Sequence, residues 1–284
     1  AGRAEEAAGV LAGLRATWPG AAIEHVEGVP IEGGDDAGIA AAVAAARRAD
    51  RVILAVGEAA WMSGEAASRA RIELPGRQAE LAAAVLAAGR PVVVLLFSGR
   101  PIAMPEVFDR AAAVLACWFP GGEAGHAVAA VLTGAAAPSA GLPVTWPRHV
   151  GQVPIAYSER RSGRPESPEK YTSKYLDLPN SPQFPFGHGL GYTRFELGDP
   201  LVSGADPFRV EAELANVGAR AGAATVFLFI RDPVASVSRP TLELRRFARL
   251  ALAPGARGVV RFELGRGDFA FPGADLAPTI EPGP

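Results

Sequence analysis

Residues 57–69 read GEAAWMSGEAASR and place two carboxylates, Glu58 and Glu65, directly after the apolar run RVILAV. The stretch is rich in Gly, Ser and Ala, carries Trp61, Met62 and Arg69, and follows neither a helical nor a strand period. A carboxyl group held on such a loop can donate and accept a proton at a reacting bond. Most loop glutamates, however, are simply solvated. Residue types and spacing leave both readings open for Glu58 and Glu65.

Other chemistries find less support. Cys117 is the one cysteine, so no intrachain disulfide and no cysteine-based metal site can form. His25, His126, His149 and His188 lack the H-E-x-x-H spacing of a zinc helix, and neither a metal nor a cofactor is expected. SGRP at 98–101 and PGGEAGH at 120–126 resemble phosphate loops only in their glycines, which better suit tight strand-to-helix turns. No G-x-S-x-G elbow supplies a serine nucleophile. A net charge of −2 gives no electrostatic case for nucleic acid or an anionic membrane as partner. The longest apolar run, PVVVLLF, is far short of the ~20 residues of a spanning helix. With no initiating Met and no charged-then-apolar leader, a signal peptide is absent, removed, or outside this stretch.

The elements that would hold the loop alternate in type. AEEAAGVLAGLRAT (4–17) has helical spacing, followed by strand-like AIEHVEG. Asp35 and Asp36 open an alanine-rich helix, RVILAV reads as a strand buried on both faces, and LPGRQAELAAAVLAAG is a helix stopped by Gly89. PVVVLLF and AAVLACWF supply further strands, and GEAGHAVAAVLTG is a helix closed by Gly134. This rhythm predicts an α/β fold: a mainly parallel sheet sandwiched by helices. The loop then leaves the carboxyl end of a parallel strand, where such sheets place their sites. Residues 138–195 lose all periodicity and are dense in Pro, Gly, Ser and Tyr, predicting an extended segment over the surface. From 196 onward, alternation such as Phe208, Val210, Ala212 and Leu214 predicts an all-β sandwich. Two domains are expected, 1–195 (with the extended segment) and 196–284. Trp118, Phe119 and Trp146 are read as core rather than as sugar platforms.

Several blocks together carry a family resemblance. ADRVILAVGEAAWMSGEAASR, GRPVVVLLFSGRPI, CWFPGGEAGHAVAAVLTGAAAPSAGLPVTWPRHVGQVPIAY and FPFGHGLGYTRF resemble successive segments of glycoside hydrolase family 3 β-glucosidases of the bacterial periplasmic type. ANVGARAGAATVFLFI and RPTLELRRFARLALAPGA resemble the fibronectin type III-like domain that follows in those enzymes. The resemblance covers nearly the whole chain in the family's order. Nothing in it resembles the family's N-terminal barrel, which bears the aspartate nucleophile and most sugar contacts. The chain is therefore expected to be a piece of such an enzyme, cut at both ends, with the barrel as its missing partner.

The resemblance also assigns the loop. The family motif is glycine-glutamate, six intervening residues, then glutamate-alanine-serine-serine-arginine, and GE, AAWMSG and EAASR match it with one serine replaced by alanine. That implies Glu65 as general acid/base, with Glu58 structural, Trp61 and Met62 as apolar cover, and Met62 and Arg69 as candidate substrate contacts. The implied activity is retaining hydrolysis of terminal non-reducing β-D-glucosyl residues of β-glucosides or oligosaccharides, in the periplasm or outside the cell. A non-catalytic carbohydrate-binding or scaffolding remnant is the alternative, and a nucleotide-binding α/β enzyme a third reading. With its barrel contacts missing, loop 57–74 is expected to be poorly ordered or displaced.

Overall fold

The structure, a computed structural model, describes residues 6–283. The chain divides into two compact units, one of residues up to Ala136 with Trp146–Val153, the other of Ala137–Thr145 with residues from Pro154 onward.

In the first unit, β1 (Val52–Gly57), β2 (Val92–Phe97) and β3 (Ala113–Ala116) form a parallel sheet in the order β1-β2-β3. The run PVVVLLF becomes a strand covered on both faces, with Val92, Val94, Leu95 and Leu96 all buried. RVILAV, expected to be buried on both faces, instead buries Leu54 and Val56 on one face and leaves Ala55 exposed on the other. The helices are α1 (Val10–Thr17), α2 (Asp36–Arg48), α3 (Gln78–Leu86), α4 (Pro105–Arg110) and α5 (Ala124–Thr133). Asp35 caps α2, its carboxylate accepting from the Gly38 N–H at 3.0 Å. Gly134 ends α5 in the left-handed region. α1 packs on α5, and α2 on α3. The α1–α5 pair meets backbone to backbone, since a Cβ on Gly13 would lie 2.1 Å from the Gly125 carbonyl oxygen.

Two further expectations need correction. The first helix begins at Val10, not Ala4, and residues 4–5 lie outside the described residues. AIEHVEG forms no strand: alternation shows which residues would turn inward, but a strand also needs a neighbouring edge to bond to.

In the second unit, β4 (Phe195–Leu197) and β5 (Leu201–Ser203) pair with one edge of β6 (Phe208–Asn216), and β9 (Arg257–Leu264) pairs with the other. β7 (Gly222–Ile230) and β8 (Glu243–Leu252) form a second antiparallel pair with a bulge at Leu228/Phe229. The alternation read from β6 holds: Val210 and Leu214 join Val226, Val260, Phe262 and Leu264 in the core, with Phe208 and Ala212 packed against them. On the opposite face of β6, Glu211 and Arg209 stand directly across from Arg261 and Glu263 and pair with them at 2.6 and 3.2 Å. Such exposed pairs add little stability, but they favour this register over its neighbours. The aperiodic stretch is attached by aromatic contacts, with Tyr157 and Phe186 packing against Phe227 and Phe229 of β7.

Asn216, at the end of β6, organises the turns of this unit. Its amide donates to the carbonyls of Arg220 and Leu252, and its Oδ1 accepts from Thr193 Oγ1 and the Gly218 N–H. Its own backbone bonds to Ala256 and Gly255. A polar side chain so fully buried is tolerable because each of its groups is matched.

Candidate active site

The three parallel strands end on the same edge of the sheet, and the residues that follow them form the site. β1 runs into Glu58, β2 into Ser98–Arg100, and β3 into Cys117–Phe119.

The end of β1 is locked first. Gln78, at the start of α3, accepts from the Gly57 N–H at 2.7 Å and donates to its carbonyl at 2.8 Å. Gly57 has φ +143°, and a Cβ there would lie 1.8 Å from the Phe97 carbonyl oxygen, so only glycine fits. The Glu58 N–H then donates to Phe97 O at 2.8 Å, continuing the ladder one residue past the strand.

Glu58 is therefore delivered into the protein and not to solvent. Its carboxylate is fully buried and meets two arginines. Arg69 Nη1 donates to Oε1 at 2.5 Å, and Arg100 Nε lies 3.0 and 3.2 Å from the two oxygens. Arg100 Nη2 also donates to the carbonyls of Met62 and, at 3.1 Å, Ala67. Arg69 Nη2 reaches the Glu73 carbonyl at 3.4 Å. A carboxylate this deep is stable only when paired and hydrogen-bonded, and here it is both.

The loop expected to be loose is thus tied at both ends by bonds internal to this unit. Its tip, Ser63–Ala66, carries Glu65, which is exposed. Gly64 has φ +117° and Ala66 φ +59°, so the acid sits between two residues in the left-handed half of conformational space. For Ala66 that costs about 1–2 kcal/mol relative to an ordinary backbone. Met62 is buried, its carbonyl held by Arg100, while its neighbour Trp61 is 66% exposed. Arg69 is committed to Glu58.

The aromatic residues divide. Trp146 is core as read from sequence, its indole N–H donating to the Ile102 carbonyl at 2.9 Å, its ring against Phe108 and Trp118. Phe119 is not core but 58% exposed, on the turn after β3. A Cβ on Gly99 would meet both Ser63 and Phe119, which brings the three turns into contact. Burial pushes the Cys117 thiol up to about 11, so it stays protonated at neutral pH and is a poor nucleophile. Among the described residues, no group of three or more His, Cys, Asp or Glu side chains is placed to hold a metal ion.

Arg100 is the residue that sequence reading passed over. SGRP drew attention for its glycine, whereas its arginine makes the contacts. The sequence offered only a partial signal: GE and SGR each follow an apolar run, but their pairing needs the two strands to be neighbours.

Comparison with known proteins agrees with this architecture. Residues 3–192 match the glycosyl hydrolase family 3 C-terminal domain, and residues 224–284 the fibronectin type III-like domain. A periplasmic beta-glucosidase of Salmonella typhimurium is 41% identical over 250 residues, 85% of this chain and 33% of its own length. A beta-xylosidase of Formosa agariphila is 35% identical over 266 residues, 92% of this chain and 36% of its own length. A solved beta-glucosidase from Listeria innocua, in complex with isofagomine, superposes with a TM-score of 0.93 at 37% identity, covering 98% of this chain and 40% of that one. The chain spans about a third of the length of the curated relatives it matches. No helix among the described residues is long and apolar enough to cross a membrane. A parallel sheet with its helices, an antiparallel sandwich after it, and both domain matches in that order lead to one conclusion: the chain belongs to glycosyl hydrolase family 3, as its C-terminal domain followed by a fibronectin type III-like domain.

Proposed function

We propose that this chain is the C-terminal part of a retaining β-glucosidase and that Glu65 is its general acid/base. The observation that carries the reading is the division of labour between the two loop glutamates. Glu58 is consumed by Arg69 and Arg100, while Glu65 stands exposed at the tip of a loop that those same contacts hold over the strand ends. A proton donor must reach a glycosidic oxygen, and of these two glutamates Glu65 is the one left free to do so.

In the reaction this implies, a carboxylate from a barrel elsewhere in the whole enzyme attacks the anomeric carbon as Glu65 protonates the departing oxygen. The resulting carboxylate of Glu65 then removes a proton from water, whose oxygen breaks the glycosyl-enzyme bond. The two carboxyl groups need to stand about 5–5.5 Å apart in such a mechanism. Glucose as the sugar is supported by the beta-glucosidases among the relatives, and the Formosa beta-xylosidase names the competing sugar. A periplasmic or secreted location belongs to the same proposal and rests on the Salmonella relative's name.

The test uses the whole enzyme, barrel included. Glu65→Ala should lower turnover of cellobiose by about 10²- to 10⁴-fold, the usual worth of a general acid/base. Activated aryl glucosides should suffer far less, with deglycosylation limiting, and azide should restore turnover and yield the β-glycosyl azide. Glu58→Ala should show neither signature, and the 284-residue chain alone should not hydrolyse aryl β-glucosides. Near wild-type cleavage of cellobiose by Glu65→Ala, or azide rescue of Glu58→Ala, would refute the assignment. Lack of activity in the whole enzyme would favour the non-catalytic binding role.

A further inference from the structure

Arg100 bonds to Glu58, Met62 and Ala67 of the Glu65 loop, yet it follows another strand. We propose that Arg100 is the positioning residue of the acid/base, clamping the loop from beneath; this rests on the reading of Glu65 given above.

The geometry is that of a single planar group bonded on several sides. Nε lies against the Glu58 carboxylate, at the point where the loop starts. Nη2 donates to the carbonyls of Met62 and Ala67, which bracket the tip that carries Glu65. The Arg69–Glu58 pair closes the far end. Between those two carbonyls lies the tip, Ser63–Ala66, to which Arg100 makes no hydrogen bond.

Arg100 is itself held. Ser98 Oγ donates to its carbonyl at 2.7 Å, and Gly99 leaves no room between this turn and Ser63. The Arg100 side chain is only 21% exposed, so its bonds compete weakly with water. The position of the tip is therefore inherited from the end of β2, through a register in which Gly57 stands opposite Phe97.

A guanidinium suits this task in a way an ammonium does not. It presents five N–H donors in one rigid plane, so a carboxylate and two carbonyls can be bonded at once in fixed directions. Lysine keeps the charge for Glu58 but offers a single nitrogen on a flexible stem. Arg100→Lys should therefore leave the buried carboxylate paired and release the carbonyls of Met62 and Ala67. A misplacement of about 1 Å at a reacting group can cost about 10²-fold in rate, so loosening the tip is expected to be visible in kcat.

Three measurements test this. In the whole enzyme, Arg100→Lys should lower kcat on an alkyl β-glucoside by about 10- to 100-fold, with KM little changed and an activated aryl β-glucoside much less affected. Arg100→Ala should be partly rescued on the alkyl substrate by millimolar guanidinium and not by ammonium. In the 284-residue chain, amide exchange at Met62 and Ala67 should quicken in Arg100→Lys while the ladder amides of β1 and β2 stay protected, which separates a loosened loop from a failure to fold. Equal losses on both substrates, or unchanged exchange at Met62 and Ala67, would overturn the proposal. Glu65→Ala measured alongside separates the two readings. If Glu65→Ala shows the leaving-group pattern and Arg100→Lys does not, positioning fails alone; if Glu65→Ala lacks it, the acid assignment fails and this proposal with it.

Discussion

Replacing Glu58 by glutamine changes one oxygen to an amide nitrogen and leaves the volume almost constant. The change should nonetheless be among the more damaging in the first unit. The amide nitrogen turns donors toward guanidinium donors, and the one negative charge between Arg69 and Arg100 is lost. In the native structure that charge accepts from Arg69 at 2.5 Å and from Arg100 at 3.0 and 3.2 Å, with the carboxylate fully buried. A hydrogen bond to a charged group contributes about 1.5–3 kcal/mol, and breaking a buried ion pair typically costs about 3–5 kcal/mol. The lower end applies because both arginines keep about a fifth of their surface in water and can recover some solvation there. The expected destabilisation is about 3 kcal/mol, or a fall of about 1.5 M in the urea midpoint for a slope near 2 kcal/mol per M.

The sequence supplies the assay. All four tryptophans, Trp18, Trp61, Trp118 and Trp146, lie in the first unit, and all four tyrosines, Tyr157, Tyr171, Tyr175 and Tyr192, in the second. Tryptophan fluorescence, excited beyond the tyrosine band, follows the unit that contains Glu58, and tyrosine difference absorbance follows the other. The tryptophan-detected midpoint should fall in Glu58→Gln and the tyrosine-detected midpoint should move much less. A double-mutant cycle with Arg100→Gln should return a coupling of about 1.5–3 kcal/mol, since the two side chains share a bond. A tryptophan midpoint shifted by less than about 0.3 M would mean that the network contributes almost nothing and would refute the reasoning.

Two further outcomes are expected in the second unit. Asn216→Ala should lower the tyrosine-detected stability by about 2–4 kcal/mol, because it strips partners from Thr193, Gly218, Arg220 and Leu252 around one buried point; a change below about 1 kcal/mol would show that water replaces them. Glu243 gives a pH dependence: burial tends to raise its pKa, but the hydrogen bond from Arg239 and the charge of Arg245 outweigh it and hold the carboxyl below its ordinary 4.5. A lowered folded-state value stabilises the fold above the unfolded-state value, and that stability fades as pH falls through the folded one. The tyrosine-detected midpoint should thus drop more steeply below pH 4.5 in the native chain than in Glu243→Gln, and parallel profiles would exclude the linkage.

Much of this protein can be read along the chain, because the forces involved are local. Continuous apolar runs dictate the strands β1 and β2, Asp35 and Gly134 start and stop their helices through their own backbone preferences, and strict alternation along β6 sends Val210 and Leu214 inward. The resemblance of GE, AAWMSG and EAASR to the family motif likewise needs only the chain, and it brought Glu65 forward before any geometry was known. What the chain could not show depends on contacts between distant residues. AIEHVEG alternates as a strand would but meets no partner edge, and Phe119 looks like core yet stands in solvent. The roles of Glu58 and Arg100 depend on β1 lying beside β2 in a register that sets Gly57 against Phe97. That register brings together two charges 42 residues apart and buries one of them. Ion pairs carry no periodicity, so only tertiary packing decided how Glu58, already read as structural, holds the loop through Arg69 and Arg100 with Glu65 at its exposed tip.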